Sequence, residues 1–348
     1  MHQTPRALGY AMPAEWARHE ALWLAWPHDT ETFPSRLAAV EQTYLQIMEA
    51  VHTGEAVHLL VLDEAMERRV AVALHDRRVD RGRIHFHRYR YADVWFRDYG
   101  PLFVTRKEGT GLAMVDWMFN AWGGKYETLM KDTGVPAFIN ETMKIPRFTP
   151  GLVMEGGSLE VNGAGVLMTT EQCLLNANRN PQLNRSQIEE ALRDYLGVDQ
   201  IIWLKTGIVG DDTDGHIDDI ARFVSPAAIV CAFETDEKDA NYAILRENYE
   251  LLLEARDLEG ARFDVIKLPM PQGSMDQAGG RLPASYANFY IANEKVLVPL
   301  FDDPRDKEAC GILQELFTDR RIVGIDCRDL VHGLGTLHCI SQQQPALF

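Results

Sequence analysis

Cysteine is scarce and scattered: five in 348 residues, at positions 173, 231, 310, 327 and 339, with no Cys-x-x-Cys pair. An odd, dispersed set argues against a disulfide framework and against a zinc ribbon. No stretch approaches the roughly 18 apolar residues of a membrane span. The opening MHQTPRALGYAMPAEW lacks the apolar run of a secretory signal, so a cytoplasmic location is expected. Positive charge is short as well, with 35 Lys and Arg against 51 Asp and Glu, a formal net charge of −16. Nucleic acid and anionic membrane surfaces are therefore poor partners, whereas a small cation suits the chain. No Gly-x-Gly-x-x-Gly or phosphate-binding loop stands between a strand and a helix, and no His-Glu-x-x-His is present. No Pro/Ser-rich linker, low-complexity tract or clean repeat divides residues 1–348, which favours one compact unit over tethered domains.

What the chain does have is alternation. AVHLLVLD (56–63), QIIWLKTG (200–207), AAIVCAFE (227–234) and KVLVPLFD (295–302) are short, rich in Val, Ile and Leu, and read as buried strands. Between them lie helical patterns. Leu37, Val40, Tyr44, Ile47 and Val51 share one face, and residues 241–255 form another candidate. Ser186 and Glu189 predict a capping box, with Gly197 as the stop. Pro304 is placed to open a helix carrying Ile312, Leu313, Leu316 and Phe317. This succession predicts an α/β class.

Five polar islands combine glycine with chemically capable residues: AWP (25–27), DVWFRDYGP (93–101), MEGGSLEVNG (154–163), TDGHIDD (213–219) and GLGTLHCISQQ (333–343). If TDGHIDD begins a strand, a period of two puts His216 and Asp218 on one face, beside Gly215. A turn with an ordinary histidine and a metal site are the competing readings of this stretch. Asp98 is a second carboxylate, with Arg97 as its neighbour or the partner of another acid. Trp95 is a flat wall for a planar cation or a core side chain. Glu155 either enters a hairpin turn or orients the histidine. Cys231 sits in an apolar run and reads as core, whereas Cys339 has the neighbourhood of a site. A cysteine with a histidine is the minimum for nucleophilic catalysis, and paired carboxylates match a guanidinium fork. The combination points to arginine-like substrates.

MPAEWARHEALWLAWP, DVWFRDYGP, VDWMFNAWGGKY, EGGSLEVNG, TDGHIDD, RLPASYANFYIAN and LHCISQQ, in this order, resemble the agmatine deiminase family, related to bacterial peptidylarginine deiminases. The resemblance runs from about residue 10 to residue 345. It implies a five-bladed α/β propeller (pentein) of ββαβ-type units with pseudo-fivefold symmetry. It also implies hydrolysis of agmatine to N-carbamoylputrescine and ammonia through an amidino-cysteine intermediate, as in polyamine synthesis, with neither metal nor organic cofactor. Cys339 matches the nucleophile, His216 the acid/base, Asp98 and Asp218 the carboxylates that grip the guanidinium, and Glu155 the acid that orients the histidine. Trp95, Asp212 and Gly335 fall at substrate-binding positions, and a homo-oligomer is expected. Two departures stand out: Gly333-Leu334-Gly335-Thr336 where the family often has Gly-Gly-Gly-Asn, and Ala92 where it often has Asn. Both bear on how the far end of the substrate is held. Free arginine would need a cation for its carboxylate, for which Arg97 and Arg281 are candidates. Peptidylarginine deimination, amidino transfer, a cysteine peptidase and a non-catalytic binding propeller are the alternatives.

Overall fold

The computed structural model describes residues 3–106, 111–273 and 279–347. Its strands form five small sheets. One connection recurs in four of them: a strand pairs antiparallel with the next, a helix follows, and the chain returns to add a parallel strand. Tyr290–Ile291 pairs antiparallel with Lys295–Leu300, helix Asp306–Leu316 crosses over, and Arg321–Asp326 completes the sheet in parallel. Ala221–Ser225, Ala228–Phe233 and Asp264–Pro269 repeat the scheme around helix Asn241–Glu254. Glu160–Val161, Val166–Thr170 and Gln200–Leu204 do so around helix Arg185–Leu196. Leu102–Arg106, Leu112–Val115 and Arg147–Phe148 do so around helix Val135–Met143, with Tyr10–Ala11 added at the edge. A repeat thus exists in the connectivity, where none is legible in the residues.

The fifth sheet joins the two ends of the chain. Gln342–Pro345 runs antiparallel to His19–Ala25, in a register that sets Gln342 against Trp23. Ala56–Val61 and Ile84–Arg88 then extend that sheet in parallel. Helix Leu37–Val51 covers it and buries Val40, Tyr44, Ile47 and Val51, the apolar stripe predicted above. The inner strands Ala56–Val61, Ala228–Phe233 and Lys295–Leu300 are buried over most of their length, which accounts for their unbroken apolar runs, whereas Ile84–Arg88, Asp264–Pro269 and Arg321–Asp326 at the sheet edges are partly exposed. The result is an α/β fold.

Two local expectations are corrected. The capping box of helix Arg185–Leu196 is made by Asn184 and Gln187, not by Ser186 and Glu189. Asn184 Oδ1 accepts from the Gln187 N–H, and Gln187 Oε1 accepts from the Asn184 N–H, each at 3.0 Å. Both pairs have the right spacing, but Asn184 is the residue with extended backbone, and asparagine caps at least as well as serine. Gly197 does end the helix, at φ 67°. The helix after Pro304 starts two residues later than the proline, at Asp306.

Candidate active site

The candidate side chains sit on single turns at the ends of the sheets, not on strands. Asp98 lies in the one-turn helix Phe96–Tyr99, Glu155 directly precedes the 3-10 turn Gly156–Ser158, and His216 directly precedes the 3-10 turn Ile217–Asp219. The alternation argument for His216 and Asp218 therefore fails, because the strand begins only at Ala221. The two side chains meet nonetheless, because the turn folds them toward Gly157. A Cβ added at Gly157 would lie 2.5 Å from His216 Nδ1, 2.9 Å from Asp98 Oδ1 and 3.1 Å from Asp218 Oδ2. Only the missing side chain at Gly157 lets the three converge. Cys339 joins from the other side, its carbonyl accepting from the Arg97 N–H at 3.1 Å and its Sγ 3.7 Å from Asp218 Oδ2.

Four buried polar atoms in this cluster lack a hydrogen-bond partner among the described residues: Nδ1 and Nε2 of His216, Oε2 of Glu155 and Oδ1 of Asp218. Such atoms are rare in native proteins, and their concentration in one place marks a site prepared for something else. His216 Nδ1 is 3.7 Å from Asp98 Oδ1, and Nε2 is 3.9 Å from Glu155 Oε2. Both oxygens of Asp98, and the Glu155 oxygen away from His216, are held by other partners. Asp98 accepts from the Gly157 N–H at 3.0 Å and from Trp122 Nε1 at 2.9 Å. Glu155 Oε1 accepts from Arg179 Nε at 2.7 Å.

A layer of groups that the islands did not single out supports these residues. His338 lies between two carboxylates, with Nδ1 2.7 Å from Asp218 Oδ2 and Nε2 2.5 Å from Glu15 Oε1. Glu15 also meets Arg222 and Arg97, so Arg97 pairs with Glu15 at 3.3 Å and not with Asp98. Asn288 Nδ2 donates to Cys339 Sγ at 3.1 Å. His338 and Asn288 stand inside the quoted stretches LHCISQQ and RLPASYANFYIAN, which was the available signal. Glu15 likewise stands inside MPAEWARHEALWLAWP, whereas Arg179 lies outside these stretches and carried no signal.

Charge in the site follows from burial and proximity. Burial lifts the Asp98 carboxyl to about 6; the His216 charge opposes this, and Asp218 and Glu155 reinforce it. Burial would also suppress the His216 charge, but Asp98, Cys173 and Glu155 outweigh it and hold the imidazole well above its ordinary value. Burial, then the carboxylates of Asp218, Asp219 and Asp98, push the Cys339 thiol well up. Burial would raise Asp218, but the hydrogen bond from His338 keeps it below the usual carboxylate range. At neutral pH the site thus holds an imidazolium and a thiol.

A cavity of about 310 Å³ opens onto Cys339 and Asp98. Trp95, Trp122, Tyr126 and Leu129 give it flat or apolar walls, and Asp29, Glu31, Asp93, Asp98 and Asp212 line it with carboxylates. Asp212 Oδ2 accepts from the Tyr126 hydroxyl at 2.5 Å. No lysine or arginine is among the lining residues. Arg97 is buried against Glu15, and Arg281 pairs with Asp239 at 2.8 Å, so neither candidate for a carboxylate partner lines the cavity. Gly335 does not line it either; a Cβ there would strike the Trp95 ring at 2.6 Å and approach Cys339 Sγ at 3.2 Å. Leu334 does line it, at φ 72°, a left-handed conformation that costs roughly 1 kcal/mol for a residue with a Cβ. Glycine would adopt this conformation without that strain.

A family model, that of the Porphyromonas-type peptidyl-arginine deiminases, matches residues 11–345. The chain belongs to that family. An agmatine deiminase of Stutzerimonas stutzeri is 40% identical over 99% of this chain and 98% of its own length. Another, from Pseudomonas putida, is 38% identical over 99% and 98%. Among solved structures, the agmatine deiminase of Enterococcus faecalis superposes with a TM-score of 0.91 at 32% identity, covering 99% of this chain and 98% of its own. That of C. jejuni gives 0.84 at 30% identity, over 97% of each chain. An amidinotransferase from Microseira wollei, at 10% identity and TM-score 0.53, shares the fold alone.

Proposed function

We propose that this family member deiminates agmatine, hydrolysing its guanidinium to N-carbamoylputrescine and ammonia. The observation that carries the choice is the cavity: Cys339 lines a chamber with five carboxylates and neither lysine nor arginine on its wall, and His216 lies behind that wall, 3.7 Å from Asp98. Agmatine is cationic at both ends and finds acid everywhere, whereas the carboxylate of free arginine would find no partner. Trp95 and Trp122 present faces for the planar head, and Asp212 is placed for the rest of the substrate.

Cys339 is the nucleophile in this reading. The bound guanidinium favours the thiolate, whose proton passes to solvent, and Sγ attacks the central carbon. His216, charged at rest, gives its proton to the departing nitrogen; the C–N bond breaks and ammonia leaves. The neutral imidazole then takes a proton from water, whose oxygen attacks the amidino carbon; the C–S bond breaks and the thiolate returns. Asp98 and Asp218 hold the carbon in line, Oδ1 of Asp218 having no other hydrogen-bond partner among the described residues. Glu155, anchored by Arg179, orients His216. The recurring sheet topology supports a closed five-bladed propeller working as one catalytic unit, and we place it in the cytoplasm as a homo-oligomer that feeds polyamine synthesis.

The test is ammonia release with product mass, from agmatine, free arginine and an arginine peptide, using the native chain beside Cys339→Ser. Turnover of agmatine alone, lost in the variant, is expected. Turnover of arginine at a comparable kcat/KM would overturn the substrate, and full activity of Cys339→Ser would overturn the nucleophile.

A further inference from the structure

Close to His216 and Glu155 lies a thiol with no part in this chemistry. Cys173 is fully buried in the short helix Glu171–Leu174, where Thr170 Oγ1 caps its N–H at 3.1 Å. Its Sγ, a ring nitrogen of His216 and a carboxylate oxygen of Glu155 all lie within 4.8 Å of one another. Glu155 Oε2 and both ring nitrogens of His216 have no hydrogen-bond partner among the described residues. The 3.9 Å between His216 Nε2 and Glu155 Oε2 is too long for a hydrogen bond. It is near the spacing of two ligands on one zinc ion, where bonds of about 2.0–2.3 Å at a tetrahedral angle set donors roughly 3.3–3.7 Å apart.

We propose that Glu155, Cys173 and His216 form a binding site for a soft divalent cation, Zn2+ above all, and that its occupation switches the enzyme off by capturing His216. The inhibitory part rests on the role of His216 given above; the binding does not. Thiolate, imidazole and carboxylate are a zinc donor set and a poor one for Mg2+. Arg179 fixes Glu155 by its other oxygen, so Oε2 already points at the site. Two other groups among the described residues have metal-ligating composition and suit an ion less. Glu15 and Glu160 are already engaged by Arg222 and Arg97, and His338 by Asp218 and Glu15. Asp218, Asp219 and Cys339 have oxygens held by His338 and Asn288. Zinc entry requires the Cys173 thiol and the His216 imidazolium to release their protons to solvent, so affinity rises with pH.

The experiment adds Co2+ and then Zn2+ to the folded Cys339→Ser chain, which removes the other active-site thiol. A cobalt–thiolate charge-transfer band, displaced by one equivalent of Zn2+ with release of about two protons, is expected. Cys173→Ser and Cys173→Ala in that background, each checked for unchanged circular dichroism, lose the band and bind Zn2+ at least about tenfold more weakly. In the native chain Zn2+ abolishes turnover and a chelator restores it, and the inhibition is weakened by the same factor in Cys173→Ala. A band that survives Cys173→Ser, or no band in Cys339→Ser, overturns the site. Binding at Cys173 without inhibition overturns the switch alone, and a chain that deiminates nothing yet shows the band leaves the site standing while the function above fails.

Discussion

Asp98 illustrates how far this site is built against stability. Its carboxyl is fully buried and titrates at about 6 instead of 3.8, a displacement of roughly two pKa units at about 1.36 kcal/mol each, or about 3 kcal/mol. The attraction of His216 is already inside that figure. Between pH 4 and 6 the folded state binds more protons here than the unfolded chain, so stability falls as pH rises through this window and stays level above it. Asp98→Asn removes the charge but turns an amide N–H toward one of the two donors, Gly157 N–H or Trp122 Nε1, at a cost of about 1–2 kcal/mol. The net expectation at pH 8 is a gain of about 1–2 kcal/mol, or about 2–4 °C in Tm. At pH 5 the native carboxyl is largely protonated, its cost is roughly halved, and the gain shrinks to near zero. Activity falls in the same variant by about 10²-fold or more, because the guanidinium loses a charged partner. Scanning calorimetry at the two pH values, beside an ammonia assay, measures all of this. A variant less stable than the native chain at pH 8, or one whose advantage is equal at both pH values, would refute the reasoning.

Three further outcomes are expected. Gly157→Ala places a methyl 2.5 Å from His216 Nδ1 and 2.9 Å from Asp98 Oδ1; kcat/KM falls by about 10²-fold, and turnover within threefold of native would show that the three groups need not converge. Glu155→Gln leaves Arg179 without its nearest buried anion; kcat drops by about 10²-fold and stability by about 3 kcal/mol or less, since Asp214 still pairs with Arg179 at 2.8 Å. Urea melts and steady-state kinetics check both effects. The pH profile of kcat/KM rises through about 6 as Asp98 ionises, and falls again at high pH as His216 loses the proton it must donate. An acid limb that stays at pH 6 in an active Asp98 variant would assign that limb to another group.

Much was determined by sequence alone. The acidic composition suited a small cation, the short apolar runs marked buried parallel strands, and Asp98, Glu155, His216, Asp218 and Cys339 were all singled out from local pattern and resemblance. Local patterns sufficed there, because strand burial and turn chemistry are written in neighbouring residues. The tertiary structure decided how those residues meet. His216 and Asp218 share a site through a 3-10 turn and the bare Cα of Gly157, not through strand alternation. Glu15 reaches Arg222 across 207 positions and His338 across 323. Arg97 and Arg281 are spent on Glu15 and Asp239, which leaves the cavity to acids. No periodicity encodes such pairings, because a buried charge finds its partner only when sheets far apart in the chain are packed together.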